Sequence, residues 1–170
     1  MNYEINFVIP QGPTGPQGLV GATGPTGPTS GLSAYGGKYN NTASNISLGI
    51  GTQSQVPLPV SMPNLNTTYA TTNSITVTQS GVYEINFYSN VSVALGTTLT
   101  LAVRANGTNI ASTVVSRALS VGTSSICSGS ALVQLPANTV IDMAVSALLA
   151  VGVTLGSGTG ASLTVKKIST

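Results

Sequence analysis

GPTGPQGLVGATGPTGPT, residues 12–29, places glycine at every third position through six triplets without exception. Three polyproline-II chains wind around a common axis only when the residue facing that axis lacks a side chain, which explains the strict spacing. A flexible linker rich in glycine and proline does not keep such a period. The stretch predicts a trimeric collagen rod of roughly 50 Å, at about 3 Å per residue. Its axis residues are Gly12, Gly15, Gly18, Gly21, Gly24 and Gly27.

The segment before the rod alternates between apolar and polar residues, which is the period of a half-buried strand. Its pentapeptide YEINF, residues 3–7, recurs letter for letter as residues 83–87. The rod holds the first copy far from its own head, so we expect it to pair elsewhere. Two alternatives stay open: docking into the head of another trimer, or anchoring to a different protein. The predicted docking residues are Tyr3, Glu4, Ile5, Asn6, Phe7 and Ile9.

From residue 34 onward the chain shows short alternating runs broken by turn residues, which predicts an all-β domain. Asn106-Gly107 suits a two-residue hairpin turn, with residues 108–115 as the returning strand. Residues 143–150 are largely apolar on both parities, as in a strand that is covered on both faces. In a trimer a neighbouring subunit provides the second cover, so we predict a trimer interface at Ala144, Ser146, Leu148 and Ala150.

Turns at this spacing predict eight to ten strands arranged as a two-sheet jelly roll. The predicted organisation is a docking strand in residues 1–11, the collagen-like rod in 12–29, a hinge in 30–37 and a trimeric jelly-roll head in 38–170.

The composition argues against catalysis. The chain has no histidine, and its three carboxylates, Glu4, Glu84 and Asp142, are dispersed. General acid–base catalysis and metal binding both need clustered titratable or ligating groups, so we expect no enzyme, no cofactor and no metal. Outward strand positions paired with Arg or Lys are the predicted roles of Glu84 and Asp142. Cys127, the only cysteine, lies on an apolar parity and is predicted to be buried and inert.

Charge and hydropathy also restrict the partners. Charged residues make up 5% of the chain, and the basic residues stand singly apart from Lys166 and Lys167. This pattern provides no basic patch for nucleic acid. The apolar run of residues 143–155 is too short to cross a bilayer, so we expect no membrane partner.

The order of these features resembles the BclA-type collagen-like glycoproteins of bacterial spore surfaces. The resemblance rests on the Gly-Pro-Thr triplets and on the head segments 46–50, 75–85, 106–107 and 161–168. GVYEI, residues 81–85, also resembles C1q/TNF-like trimeric jelly rolls. The resemblance implies a homotrimeric head, a place in the exosporium or on a spore appendage, and a stalk with O-linked sugar. The corresponding stalk positions are Thr14, Thr23, Thr26 and Thr29.

The function expected from the sequence is structural: a subunit of a spore-surface fibre or appendage that trimerises through head and stalk. The N-terminal strand would dock trimers head to tail, and other spore-coat or exosporium proteins are the further expected partners. The alternative is a trimeric adhesin whose head binds a host protein or glycan. Few aromatic and charged residues argue against a dedicated binding patch, because interface anchors are typically Trp, Tyr and Arg.

Overall fold

The computed structural model describes residues 1–21 and 31–169. The chain divides into two units, Met1–Ser30 and Gly31–Thr170. The second unit is the head, and the prediction of an all-β jelly roll is confirmed for it. Its described residues form fourteen strands and one short 3-10 turn, Ala111–Thr113. The strands are β1 Tyr35–Asn40, β2 Ser44–Leu48, β3 Gln53–Gln55, β4 Val60–Ser61, β5 Thr67–Thr68, β6 Ser74–Val77, β7 Gly81–Val93, β8 Thr97–Ala105, β9 Thr108–Asn109, β10 Val115–Leu119, β11 Ser125–Leu135, β12 Thr139–Ala147, β13 Val151–Leu155 and β14 Ala161–Ser169.

The first sheet is organised around β7, in which buried and half-buried residues alternate over all thirteen positions. Its strand order is β2-β13-β7-β14-β1-β4, and β11 pairs with the other edge of β7. All pairings in this sheet are antiparallel. Because side chains alternate across a strand, the odd-numbered residues of β7 face the core and the even-numbered ones form an outer face.

The second sheet has the order β10-β8-β12-β6-β5, with β3 on β12 and β9 on β8. Its inner face packs against the inner face of the first sheet to form one apolar core. The largest fully buried side chains are Tyr83, Leu58, Ile75, Ile85, Leu99, Leu101, Leu135, Ile141, Met143, Leu155, Leu163 and Val56.

The predicted turn at Asn106-Gly107 is confirmed, and both residues have positive φ (50° and 82°). The predicted returning strand is wrong in extent, because β9 ends at Asn109 and the chain then forms the 3-10 turn. The buried hydroxyl of Thr113 accepts from the Val103 backbone N–H (3.0 Å) and donates to the Ile110 carbonyl (2.8 Å). These side-chain bonds replace the ladder that a continuous hairpin would have formed.

The boundary predicted between hinge and head also moves, because β1 begins at Tyr35. Gly36 and Gly37, which the sequence suggests as hinge residues, lie inside this strand. A Cβ atom at Gly37 would lie 2.6 Å from the Met62 sulfur. At Gly36 it would meet the side chains of Thr67 and Tyr69. The two glycines therefore allow close packing against the 62–69 segment rather than bending.

Residues 1–21 contain no helix or strand and are exposed. The strand predicted at residues 2–9 is absent from the single chain, because a strand needs the backbone groups of a partner. Gly12, Gly15, Gly18 and Gly21 have open space where a side chain would stand. Thr14 is exposed. The remaining predicted rod positions, Gly24, Gly27, Thr23, Thr26 and Thr29, lie outside the described residues.

Candidate assembly surfaces

Both carboxylates of the head are paired with cations, as the sequence predicts. Arg104 donates from Nε to Asp142 Oδ1 (2.8 Å) and from Nη2 to Oδ2 (2.6 Å). Gln55 Nε2 donates to the same Oδ2 at 2.8 Å. The hydrogen bonds that Arg104 donates to Asp142 raise the pKa of the guanidinium, although burial opposes the shift. Glu84 Oε2 lies 3.7 Å from Lys166 Nζ at a more exposed position.

Within residues 1–21 and 31–169, no group of three or more His, Cys, Asp or Glu side chains is arranged to hold a metal ion. In the same part of the chain, no helix is both long and apolar enough to cross a lipid bilayer.

The prediction that Cys127 is buried is confirmed. Burial raises the pKa of its thiol, while the positive charge of Arg117 acts in the opposite direction. A thiol that stays protonated is a poor nucleophile.

The residues predicted to form the trimer interface do not lie on one strand face. Ala144 and Ser146 are on the outer face of β12, where Ala144 is buried opposite Gln55 and Ala102. Asp142 lies two residues before Ala144 on that face and carries the ion pair, so the face is not apolar throughout. β12 ends at Ala147, and residues 148–150 form a connection in which Leu148 is 72% exposed.

The outer face of the first sheet has the composition of an interaction surface. Tyr39, Ser162, Tyr88 and Ser128 oppose one another in a row across β1, β14, β7 and β11. A second row, four residues further along the strands, consists of Tyr35, Lys166, Glu84 and Leu132. The three tyrosines are half-buried and Leu132 is exposed. Tyrosine is enriched at protein interfaces, and in this face the charged residues Lys166 and Glu84 are paired with each other.

An open cleft of about 330 Å³ continues this face at the start of β1. Leu32, Tyr35 and Met62 contribute apolar walls, and Lys166 is its charged residue. Gly36 and Gly37 also line the cleft. The cleft extends the uncovered area of the first sheet.

The two copies of YEINF occupy different environments. In β7, Tyr83, Ile85 and Phe87 are buried between the sheets, and the strand is paired on both edges, with β11 and β14. In residues 3–7 the corresponding side chains are exposed, with Phe7 at 89%. The same five residues thus form a core strand when they have partners on both sides.

Comparison with solved structures defines the class of the head. The globular domain of zebrafish complement 1qA is similar over 80% of this chain and 97% of its own, with 15% identity and a TM-score of 0.56. Eiger TNF from S. frugiperda is similar over 81% and 92%, with 14% identity and a TM-score of 0.55. PRD1 vertex protein P5 is similar over 82% and 100%, with 16% identity and a TM-score of 0.51. The head therefore has a C1q/TNF-like fold.

Residues 36–169 match the BclA C-terminal domain family, so the chain belongs to that family. A comparison with curated protein sequences gives no significant match.

Proposed function

We propose that this protein is a non-catalytic structural subunit of a bacterial spore-surface fibre. Three chains associate through the collagen-like rod and the head, and trimers join end to end through residues 2–9. Membership of the BclA C-terminal domain family supports the spore-surface location in the exosporium or on an appendage. One observation supports the end-to-end assembly: the sequence YEINF is exposed at residues 3–7, whereas its second copy, residues 83–87, lies in a strand whose odd-numbered side chains are buried in the head.

The homotrimer follows from two features of the chain. The Gly-X-Y repeat forms a collagen triple helix only when three chains wind around a common axis. In the head, the outer face of the first sheet supplies an uncovered surface with three tyrosines and the adjoining cleft. We assign the trimer interface to this face rather than to the outer face of β12, because its three half-buried tyrosines offer larger contact surfaces than Ala144 and Ser146 do.

The exposure of residues 2–9 supports the proposed end-to-end contact. Five large apolar side chains of this segment are at least 83% exposed in the single chain. An unpaired strand of this composition gains backbone hydrogen bonds and apolar contacts when it docks on another molecule. Because donor and acceptor are different surfaces, the contact repeats from trimer to trimer, and a repeat that does not close into a ring produces a filament.

The test compares the full chain with a variant lacking residues 2–9 and with Phe7→Asp. Both changes are expected to leave a particle of about three times the 17.0 kDa chain mass in light scattering and to abolish larger species. Gln11→Asp is the matched control, because it adds the same charge outside residues 2–9 and is expected to assemble. Assemblies of unchanged size from the deletion variant would refute end-to-end docking.

A further inference from the structure

Four loops at one end of the head carry exposed apolar side chains. They are residues 49–52, 94–96, 120–124 and 148–150, and we call them the apical loops. Their exposed residues are Ile50 (73%), Leu95 (51%), Val121 (61%), Leu148 (72%) and Leu149 (46%). None of the residues in these loops is charged. Surface loops are normally polar, so an uncharged apolar cluster built from four of them indicates a surface that becomes covered.

Strand register in the first sheet brings these loops together. Leu48, just before the first loop, pairs with Val151, just after the last. The Ala94 N–H donates to the Gly152 carbonyl at 3.2 Å, which joins the second loop to the same place. Val93 forms a bridge with Val121, which adds the third loop.

The strands of the second sheet also end next to the apical loops. Leu119, which precedes residues 120–124, lies opposite Thr97, and Ala147, which precedes residues 148–150, lies opposite Leu99. The loops therefore border one another at the same end of both sheets.

The chain enters the head at the opposite end. β1 begins at Tyr35, which lies opposite Lys166, and Lys166 lies opposite Glu84 near the start of β7. From Glu84, β7 runs nine more residues, about 30 Å, to Val93 beside the apical loops. A partner bound at the apical loops is therefore far from the point where the collagen-like segment joins the head.

We propose that the apical loops are the acceptor for residues 2–9 of another trimer; this inference rests on the proposed function and names the site of its end-to-end contact. The occupant is complementary in chemistry, because residues 2–9 are apolar on one parity and contain one charge, Glu4. Arg117, two residues before Leu119, is exposed and takes part in neither ion pair found among the described residues. It can therefore pair with that carboxylate.

Symmetry and position also favour this occupant. A collagen rod presents three N-terminal segments around one axis, and a trimeric head presents three sets of apical loops around one axis. Docking at the apical loops leaves the end at which the chain enters the head free. Docking beside the entry point would instead place a second rod next to the first.

The first experiment compares Leu148→Asp and Ile50→Asp with Val114→Asp in the full chain. Val114 is also apolar and exposed (44%), but it precedes β10 and lies outside the apical loops. Light scattering and electron microscopy are expected to show trimers for all three variants. The Val114 variant is expected to form filaments of wild-type length. The two apical variants are expected to form filaments at least tenfold shorter, or none.

The second experiment locates the contact directly in a Cys127→Ala background. Protein with Phe7→Cys is mixed under mild oxidation with separately prepared protein carrying Leu148→Cys. We expect a disulfide between positions 7 and 148, identified by mass spectrometry of the linked peptides. The control pair, Phe7→Cys with Val114→Cys, is expected to give at least tenfold less product.

The outcomes separate this inference from the proposed function. Filaments that need residues 2–9 but survive both apical substitutions would overturn the acceptor site and leave end-to-end docking intact. Loss of the trimer in Leu148→Asp would also overturn it and return that residue to the trimer interface. Filaments that survive deletion of residues 2–9 would overturn both proposals.

Discussion

The ring of Phe87 lies directly over Gly129 across the β7–β11 pair. The two residues oppose each other in register, and a Cβ atom added at Gly129 would lie 2.6 Å from Cζ of the ring. Phe87 is 4% exposed. The Phe87 ring, which belongs to the buried copy of YEINF, thus packs against Gly129, where β11 has no side chain.

Gly129→Ala is therefore expected to lower the free energy of unfolding by about 1–3 kcal/mol, because the buried ring must shift. Gly152→Ala is the matched control in β13, where nothing lies within 4 Å of the added atom. Its effect is expected to stay within about 0.5 kcal/mol. Denaturant unfolding of both variants measures the difference, and equal effects would show that the ring adapts without cost.

Asp142→Asn is expected to cost about 1.5–3 kcal/mol, because it removes charge-assisted hydrogen bonds from a largely buried guanidinium. Glu84→Gln breaks the longer and more exposed pair with Lys166, and is expected to cost at most about 1 kcal/mol. Thermal unfolding of the two variants provides the comparison. A larger loss for Glu84→Gln would contradict this ranking of the two pairs.

Cys127 is expected to resist thiol reagents at pH 8 until the head unfolds, because it is buried and its pKa is raised. Because the pKa of the thiol is higher in the folded state, the thiol contributes to stability at pH values below its ordinary pKa of 9.0. This contribution is lost as the pH rises above 9.0 and through the folded-state pKa. The stability of the wild type relative to Cys127→Ala should therefore fall above pH 9. A constant difference between pH 7 and pH 11 would contradict the buried thiol.

Tyr88→Asp is expected to dissociate the trimer, since Tyr88 occupies the middle of the outer face of the first sheet. Ser146→Asp, on the outer face of β12, is expected to leave it intact. Mass measurement by light scattering distinguishes the two. The opposite result would place the interface on β12, as the sequence pattern suggests.

Much of the head could be predicted because its signals are local. The uninterrupted alternation of β7 follows from the period of its sequence, and the turn at Asn106-Gly107 follows from residues that tolerate positive φ. The pairing of Glu84 and Asp142 with cations follows from the cost of leaving a carboxylate unpaired on a packed sheet.

The apical loops could not be predicted, because the break at residues 148–150 has no local signal. The sequence from Met143 to Leu155 contains neither proline nor a turn pair, and it has the apolar character of a single strand. The break arises because Ala147 pairs with Leu99 in the second sheet and Val151 pairs with Leu48 in the first. The chain must cross between the sheets there, and only the tertiary pairing determines where.

Electron microscopy of the purified full-length chain tests the central claim most directly. If trimers join through residues 2–9, the images will show filaments in which beads alternate with thin rods of roughly 50 Å, the length of six collagen triplets. Separate particles with one bead and one free rod, at any protein concentration, would contradict the account.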